Sequence, residues 1–374
     1  MDLSLTPEQE AFVGTARAWL GEHLVVPEPF ASLDQEVAWG RDWQALLAAD
    51  RWVGLSWPRE YGGRGASPVD VALFNMEYAR ARAPQPVNRV GLNLAGPTLL
   101  AHGSEEQKRR WLPPLLSAAE IWCQLFSEPG AGSDLAALTT RAVAVEGGWR
   151  LSGQKVWSSY AQVARWGICL ARTDPDATKH AGISYLVVDM EAPGLTIRPL
   201  VQITGEAEFN EVFFDDVFVP ADHLVGTLHD GWRVASTTLA HERGTTFPFK
   251  EQVVHEVLLE RLLATANERG ALDDPLVAEE LAQVYVELRL LGLHNLRTLS
   301  RLAAGHEPGP ESSWVKLAWT TVTQHLSALA LQVAGDDPAW QRQWLWSKAA
   351  SIAGGTSEVQ RTIIAERILG LPRG

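Results

Sequence analysis

The stretch IWCQLFSEPGAGSDLAALTTRAVAVEGGWRLSGQKVWSSY, residues Ile121–Tyr160, is where the chain changes its period. Before it, apolar residues return every three or four positions, the spacing of an amphipathic helix. Within it, short β-branched or aromatic runs are cut by Gly, Pro and Asp, which is the grammar of strands and turns. Val145–Gly153, VEGGWRLSG, reads as a hairpin. The same grammar continues through WGICLART, GISYLVVDM, LTIRPL and NEVFFDDVFVP, so the strands form a domain of their own, expected to be antiparallel.

Working outward, both flanks are helical. TPEQEAFVGTARAWLGEHL places Thr6 as a cap, Pro7 at the first helical position and Gln9 where a capping box needs it. Phe12, Val13, Ala16, Trp19 and Leu20 then share one face. Further helices are expected at 41–49, 68–82 and 104–116, with a Gly- and Pro-rich loop at 58–68. Beyond the strands, helical spacing covers 231–266, 275–304, 310–333, 340–353 and 356–369. Helices, then strands, then helices describe an α+β chain in segregated blocks, not a doubly wound sheet. The boundaries fall at 1–118 for an N-terminal helical domain, 119–228 for the β domain and 229–374 for a C-terminal helical domain.

A chain of 374 residues with 46% hydrophobic and 21% charged side chains has enough material for a large core. Its formal net charge of −13 argues against nucleic acid and anionic membranes as partners. The local Lys108–Arg110 cluster sits beside Glu105 and Glu106 and reads as a solvated helix face. Cys123 and Cys169 lie in apolar runs, which fits buried thiols in a reducing cytoplasm and gives no zinc spacing. No basic leader and no membrane-length apolar window is present, so a soluble cytoplasmic protein is expected.

Taken singly, the site-like motifs are modest. Gly130 and Gly132 suggest a dinucleotide loop, but the third glycine of that fingerprint is replaced by Leu135 and no βαβ unit surrounds it. A tight turn is the simpler reading; its small residues let backbone N–H groups approach a ligand, and Ser127 and Ser133 add hydroxyls. Trp157 in GQKVWSSY suits a core position or a stack on a flat cofactor. Glu242 and Arg243 in LAHERGTTF read first as a solvated or structural ion pair. In IAGGTSEVQR, Thr356 can cap a helix whose N-terminus favours an electronegative ligand group.

Together these stretches resemble the acyl-CoA dehydrogenase family. CQLFSEPGAGSD (Cys123–Asp134), GQKVWSSYAQVARWGICLART (Gly153–Thr173), EFNEVFFDDVFVPADHLVG (Glu208–Gly226) and IAGGTSEVQRTIIAERILGLPR (Ile352–Arg373) match in order, supported by GWRVASTTLAHERG (Gly231–Gly244). The resemblance spans essentially the whole chain and implies an N-terminal helical domain, a middle β domain and a C-terminal four-helix bundle. It implies FAD as cofactor, oxidation of the Cα–Cβ bond of an acyl thioester with β-hydride passing to flavin N5, an electron-transfer flavoprotein as acceptor, and a homo- or hetero-oligomer, with tetramers common. It further implies that Gln124, Phe126, Ser127, Gly132 and Ser133 line the flavin and thioester, and that Trp157 and Ser159 contact the isoalloxazine. Thr356 and Glu358 would face FAD, Arg243 would position the substrate, and Gln332, Gly335 and Arg269 would meet FAD, Arg269 without its usual Thr-Phe-Gly companions. No metal is implied.

The resemblance also exposes a gap. Many members carry the catalytic Glu immediately before the Gly-Thr of the last motif, and here that residue is Gly354. Long-chain and isovaleryl-type members carry the base on another helix, at the position matching Glu242. Glu242 therefore becomes the expected base, because a base need only reach the α carbon. The Gly354 N–H keeps the other role, donating to the thioester oxygen as enolate charge develops. Other readings remain: a subunit of a hetero-oligomer acting on bulky, steroid-like CoA esters, a flavin oxidase or monooxygenase on the same fold, or a dehydrogenase of carrier-protein thioesters.

Overall fold

The computed structural model describes residues 5–242, 246–306 and 309–372. Five helices precede the sheet: α1 (Pro7–His23), α2 (Leu33–Ala49), α3 (Pro68–Arg80), α4 (Gly96–His102) and α5 (Glu105–Leu116). The strands are β1 (Trp122–Leu125), β2 (Arg141–Val145), β3 (Gly148–Lys155), β4 (Trp166–Arg172), β5 (Ile183–Asp189), β6 (Leu195–Leu200) and β7 (Phe209–Pro220). Then follow α6 (Gly231–Glu242), α7 (Thr246–Glu268), α8 (Pro275–Ala303), α9 (Glu311–Ala334), α10 (Pro338–Ser347) and α11 (Ser357–Ile363). Among the described residues no helix is long and apolar enough to cross a membrane. Contacts gather the chain into two compact units, one of residues 27–65 and 84–242, the other of 1–26, 66–83 and 243–374. The early helices are thus shared out: α2, α4 and α5 belong with the sheet, α1 and α3 with the C-terminal helices.

In the sheet unit, seven strands run in the order β1-β4-β2-β3-β7-β6, with β5 on β4. The hairpin expected at 145–153 is β2–β3, turning through Glu146 and Gly147, whose φ is +77°. Most pairings are antiparallel, but β1 lies parallel to β4, from Trp122↔Trp166 to Leu125↔Cys169. β1 gets there by a guided exit from α5. The buried amides of Gln44 and Asn88 donate to the Leu115 and Leu116 carbonyls and to that of Glu120, while the Trp122 N–H donates to Asn88 Oδ1 at 2.8 Å. Such side chains stand in for backbone partners where the chain leaves regular structure. Cys123 and Cys169 are both buried as free thiols in the core under β1 and β4.

Helix α2 starts at Leu33 under a Ser32 cap, earlier than the expected 41. Gly40 inside it is a close-approach residue: a Cβ there would lie 2.7 Å from Val87. Helix α6 is seated against β5 in the same way, since a Cβ on Gly231 would lie 2.5 Å from the Ser184 carbonyl carbon.

In the helical unit, α1 has the expected capping box, with the Gln9 N–H on Thr6 and the Thr6 N–H on Gln9. Leu259, Leu262, Leu281, Leu288, Leu326 and Trp340 belong to the core shared by α7, α8, α9 and α10. A second cluster joins Val69 and Leu73 of α3 to Phe249 of α7 and Leu299 of α8. The span expected as one helix at 340–353 is α10 followed by a 3-10 turn at Lys348–Ser351, and 356–369 is α11 continued by a π turn.

Candidate functional site

In the sheet unit β1 delivers Phe126, Ser127 and Glu128 to its end, and the chain reverses there. The Glu128 and Ala131 backbones exchange two hydrogen bonds of 3.0 Å around Pro129 and Gly130, the tight turn the motif suggested. Gly132 and Ser133 follow on the surface, and a Cβ on Gly130 or Gly132 would meet nothing within 4 Å. Packing within the chain does not demand those glycines, and the space beside them is open. Gln124, half-buried between buried neighbours, pairs with Ile168.

Beneath this turn lies an ion pair that sequence reading did not single out. Lys155, fully buried at the end of β3, donates to Glu128 at 2.8 Å and to the Phe126 carbonyl at 3.0 Å. The Thr139 and Thr140 N–H groups and the Thr139 hydroxyl also donate to Glu128. Burial opposes ionisation of the Glu128 carboxyl, but the Lys155 charge and these donors outweigh it and bring its pKa down to about 2. Removing one partner of such a buried pair costs about 3–5 kcal/mol. The signal was available: Trp149, Leu151 and Lys155 share an odd-numbered parity that faces the core, and a lysine there needs a carboxylate.

The pair staples two motifs together. Val156 N–H donates to the Ser127 carbonyl at 2.9 Å, and Asn210 exchanges bonds with Ser158, through its carbonyl to the Ser158 N–H and its Nδ2 to the Ser158 carbonyl. Between these anchors Trp157 takes a φ of +62°, and Tyr160 one of +56°. Left-handed backbone in bulky residues is unfavourable by about 1–3 kcal/mol each and persists where the surroundings impose it. Tyr160 is gripped: its hydroxyl donates to Glu36 at 2.9 Å, and Arg89, ion-paired with Glu208, stacks over its ring. The consequence for Trp157 is exposure. It is 61% accessible, its ring edge-on to Phe209, so of the two readings open in the sequence the core position is ruled out. Ser159 follows it, half-buried. An exposed indole held in a strained backbone beside free small residues fits a flat aromatic cofactor.

Helix α6 brings position 242 to the same unit. Thr238 sits in a buried hydroxyl network, 2.8 Å from Thr98 of α4 and 3.2 Å from Tyr185 of β5, and the Tyr185 ring is edge-on to Phe126. Glu242 closes the helix one turn later. The Glu242 side chain and the whole of Arg243 lie outside the described residues.

The helical unit carries the remaining candidates in two places. At the first, Gly354 and Gly355 take φ of +66° and +92°, and no carboxylate stands at 354. Thr356 caps α11 by accepting from the Val359 N–H, and its own hydroxyl hydrogen serves the Glu358 carboxylate. Glu358 is exposed in the first turn, where its own backbone N–H and then the Thr356 hydroxyl hold its carboxyl below the usual range. Gln360, fully buried and another residue the sequence did not flag, donates to the Gly354 and Gly355 carbonyls at 3.1 and 3.2 Å. A Cβ on Gly355 would lie 2.7 Å from that amide. At the second place, Arg269 forms a two-pronged ion pair with Asp336, next to Gly335, and Gln332 is exposed on the last turn of α9. The Arg269 guanidinium is thus engaged by a carboxylate of its own chain.

Against known proteins, the acyl-CoA dehydrogenase N-terminal, middle and C-terminal domain profiles match residues 6–119, 123–217 and 229–369. The chain is 44% identical to the acyl-CoA dehydrogenase IpdE1 of Mycobacterium tuberculosis, over 97% of this chain and 98% of that one. Among solved structures it is similar to the Tcur3481-Tcur3483 steroid ACAD, with a TM-score of 0.87 and 29% identity over the full length of both chains. The ChsE4-ChsE5 complex from Mycobacterium tuberculosis gives a TM-score of 0.84 and 30% identity, again over both full lengths.

Proposed function

The chain belongs to the acyl-CoA dehydrogenase family, and from that premise we propose that it desaturates the Cα–Cβ bond of a bulky, ring-bearing acyl-CoA ester with Glu242 as base. The observation that carries the flavin half of this reading is Trp157, an exposed indole fixed in left-handed backbone beside Ser127 and Ser159. Those residues suit one face of an isoalloxazine, and Thr356, capping the start of α11, suits its polar rim. Arg269, Gln332 and Gly335 are the candidates for the adenosine half. Bound FAD supplies the acceptor for the β hydride.

The protein's own part is proton transfer and charge stabilisation. Glu242 takes the α proton; an acyl group that displaces water from its carboxylate raises its pKa and strengthens it as a base. The Gly354 N–H donates to the thioester oxygen, and among the described residues no acceptor takes that N–H. Such a donor is worth about 3–4 kcal/mol in the transition state. With Cα and Cβ each giving up one hydrogen, the product is the trans-2-enoyl thioester.

Two structural neighbours support the bulky substrate and the mixed assembly: one is a steroid ACAD named for two chains, and the other is a complex of two named chains. The purified chain, alone and co-expressed with a second dehydrogenase chain from its own genome, is mixed anaerobically with straight, branched and polycyclic acyl-CoA esters while flavin absorbance is followed. Polycyclic esters are expected to bleach the flavin fastest, and electron-transfer flavoprotein, not oxygen, is expected to restore it. Faster bleaching by short straight chains would overturn the substrate assignment.

A further inference from the structure

The turn that carries Gly354 is hung from α9 by a row of polar side chains. Lys316, Thr320 and Gln324 stand at i, i+4 and i+8, one above another on a single helix face. Lys316 Nζ donates to the Ala350 carbonyl at 2.6 Å. Thr320 Oγ1 reaches the same carbonyl at 2.9 Å but divides its single hydrogen with the Lys316 carbonyl of its own helix. Gln324 Nε2 donates to the Ser347 carbonyl at 3.2 Å. From the far side, Gln360 holds the carbonyls of Gly354 and Gly355. Residues 347–355 are therefore held at both ends by side chains, and the second end is made of two glycines with little conformational preference of their own.

Lys316 is 5% exposed, and burying an ammonium group is costly in a way that burying a hydroxyl or an amide is not. A neutral donor would satisfy one carbonyl. A cation does more at this place, because Ala350 lies in the 3-10 turn Lys348–Ser351, and the carbonyl end of a helical turn attracts positive charge. The charge also reaches the next element. After the Glu358 N–H and the Thr356 hydroxyl, Lys316 is among the groups that hold the Glu358 carboxyl down.

We propose that Lys316 is a positioning residue for the reaction: its ammonium, acting through the Ala350 carbonyl, fixes the turn so that the Gly354 N–H is presented in one orientation. The role assigned to that N–H rests on the dehydrogenase reading above; the fixing of the turn does not. Three variants separate the effects. Lys316→Met keeps most of the volume and removes the donor, Lys316→Arg restores a cation, and Thr320→Val removes the weaker share.

Hydrogen exchange is read by mass spectrometry on the flavin-loaded protein without substrate. In Lys316→Met, peptides covering 347–356 are expected to exchange at least about tenfold faster, a loss of about 1.4 kcal/mol of local protection. Peptides from the core at 277–288 should be unchanged, Lys316→Arg should recover most of the protection, and Thr320→Val should lose less than Lys316→Met. In turnover, kcat should fall about tenfold in Lys316→Met with KM little changed, as for an interaction realised only in the transition state. Unchanged exchange at 347–356 in Lys316→Met, or Lys316→Arg exchanging as fast as Lys316→Met, would overturn the proposal. Because exchange needs no substrate, a wild-type protein that no acyl-CoA bleaches would defeat the dehydrogenase reading while leaving the Lys316 result to stand or fall by itself.

Discussion

On the proposed reading, Trp157 is committed to a ligand at the expense of the free protein. Its left-handed backbone and 61% exposure both oppose stability, and the buried Lys155–Glu128 pair with Asn210 holds it there. Trp157→Gly is therefore expected to leave the melting temperature of the flavin-free protein unchanged or raise it, since glycine takes that φ without strain. The same variant should weaken FAD binding at least about tenfold, the loss of about 1.4 kcal/mol of stacking. Differential scanning fluorimetry and flavin titration of the apoprotein read the two effects separately. A fall in stability with unchanged FAD affinity would make Trp157 a structural residue.

At the scale of elements, α8 and α9 are pinned across the bundle by a titrating residue. His325 of α9 lies 2.5 Å from Glu280 and 3.1 Å from Glu287, both on α8. Burial alone would lower the His325 pKa; its hydrogen bonds to the two glutamate carboxylates outweigh it and leave the pKa raised. A group whose folded pKa is raised adds stability that is fully present below the unfolded value, about 6.5, and is lost as pH rises through the folded value. Relative to His325→Gln, the wild-type melting temperature is thus expected to decline from pH 6 toward pH 8, opposite in sign to the contribution of His102, His223, His255 and His294, whose pKa values burial lowers. An equal slope in the variant would assign it to other groups. The same two helices show what an element's sequence hides: the 316, 320, 324 row is plain once the partner turn is known, but in the sequence it is only a helix face with Lys, Thr and Gln on it.

For the whole molecule, the change of period at Ile121 was enough to separate the strands from the helices, because alternation and helical spacing are local. The capping box of α1 and the hairpin at 145–153 were legible for the same reason. What depends on distant partners was not: the parallel pairing of β1 with β4, the early start of α2 against Val87, and the grouping of α1 and α3 with the C-terminal helices. Among candidate site residues, Thr356 stood out through its helix cap and Gly354 through the resemblance, Lys155 shows only through its strand parity, and Gln360 and Lys316 look like ordinary polar positions until burial is known. The missing carboxylate at Gly354 gives the molecule its central claim, that proton removal has moved to Glu242. Anaerobic bleaching of the flavin by a polycyclic acyl-CoA, wild type against Glu242→Gln, measures that claim most directly. The variant should bind FAD normally and bleach about 10²–10⁴-fold more slowly, the worth of a positioned general base; bleaching at the wild-type rate would contradict it.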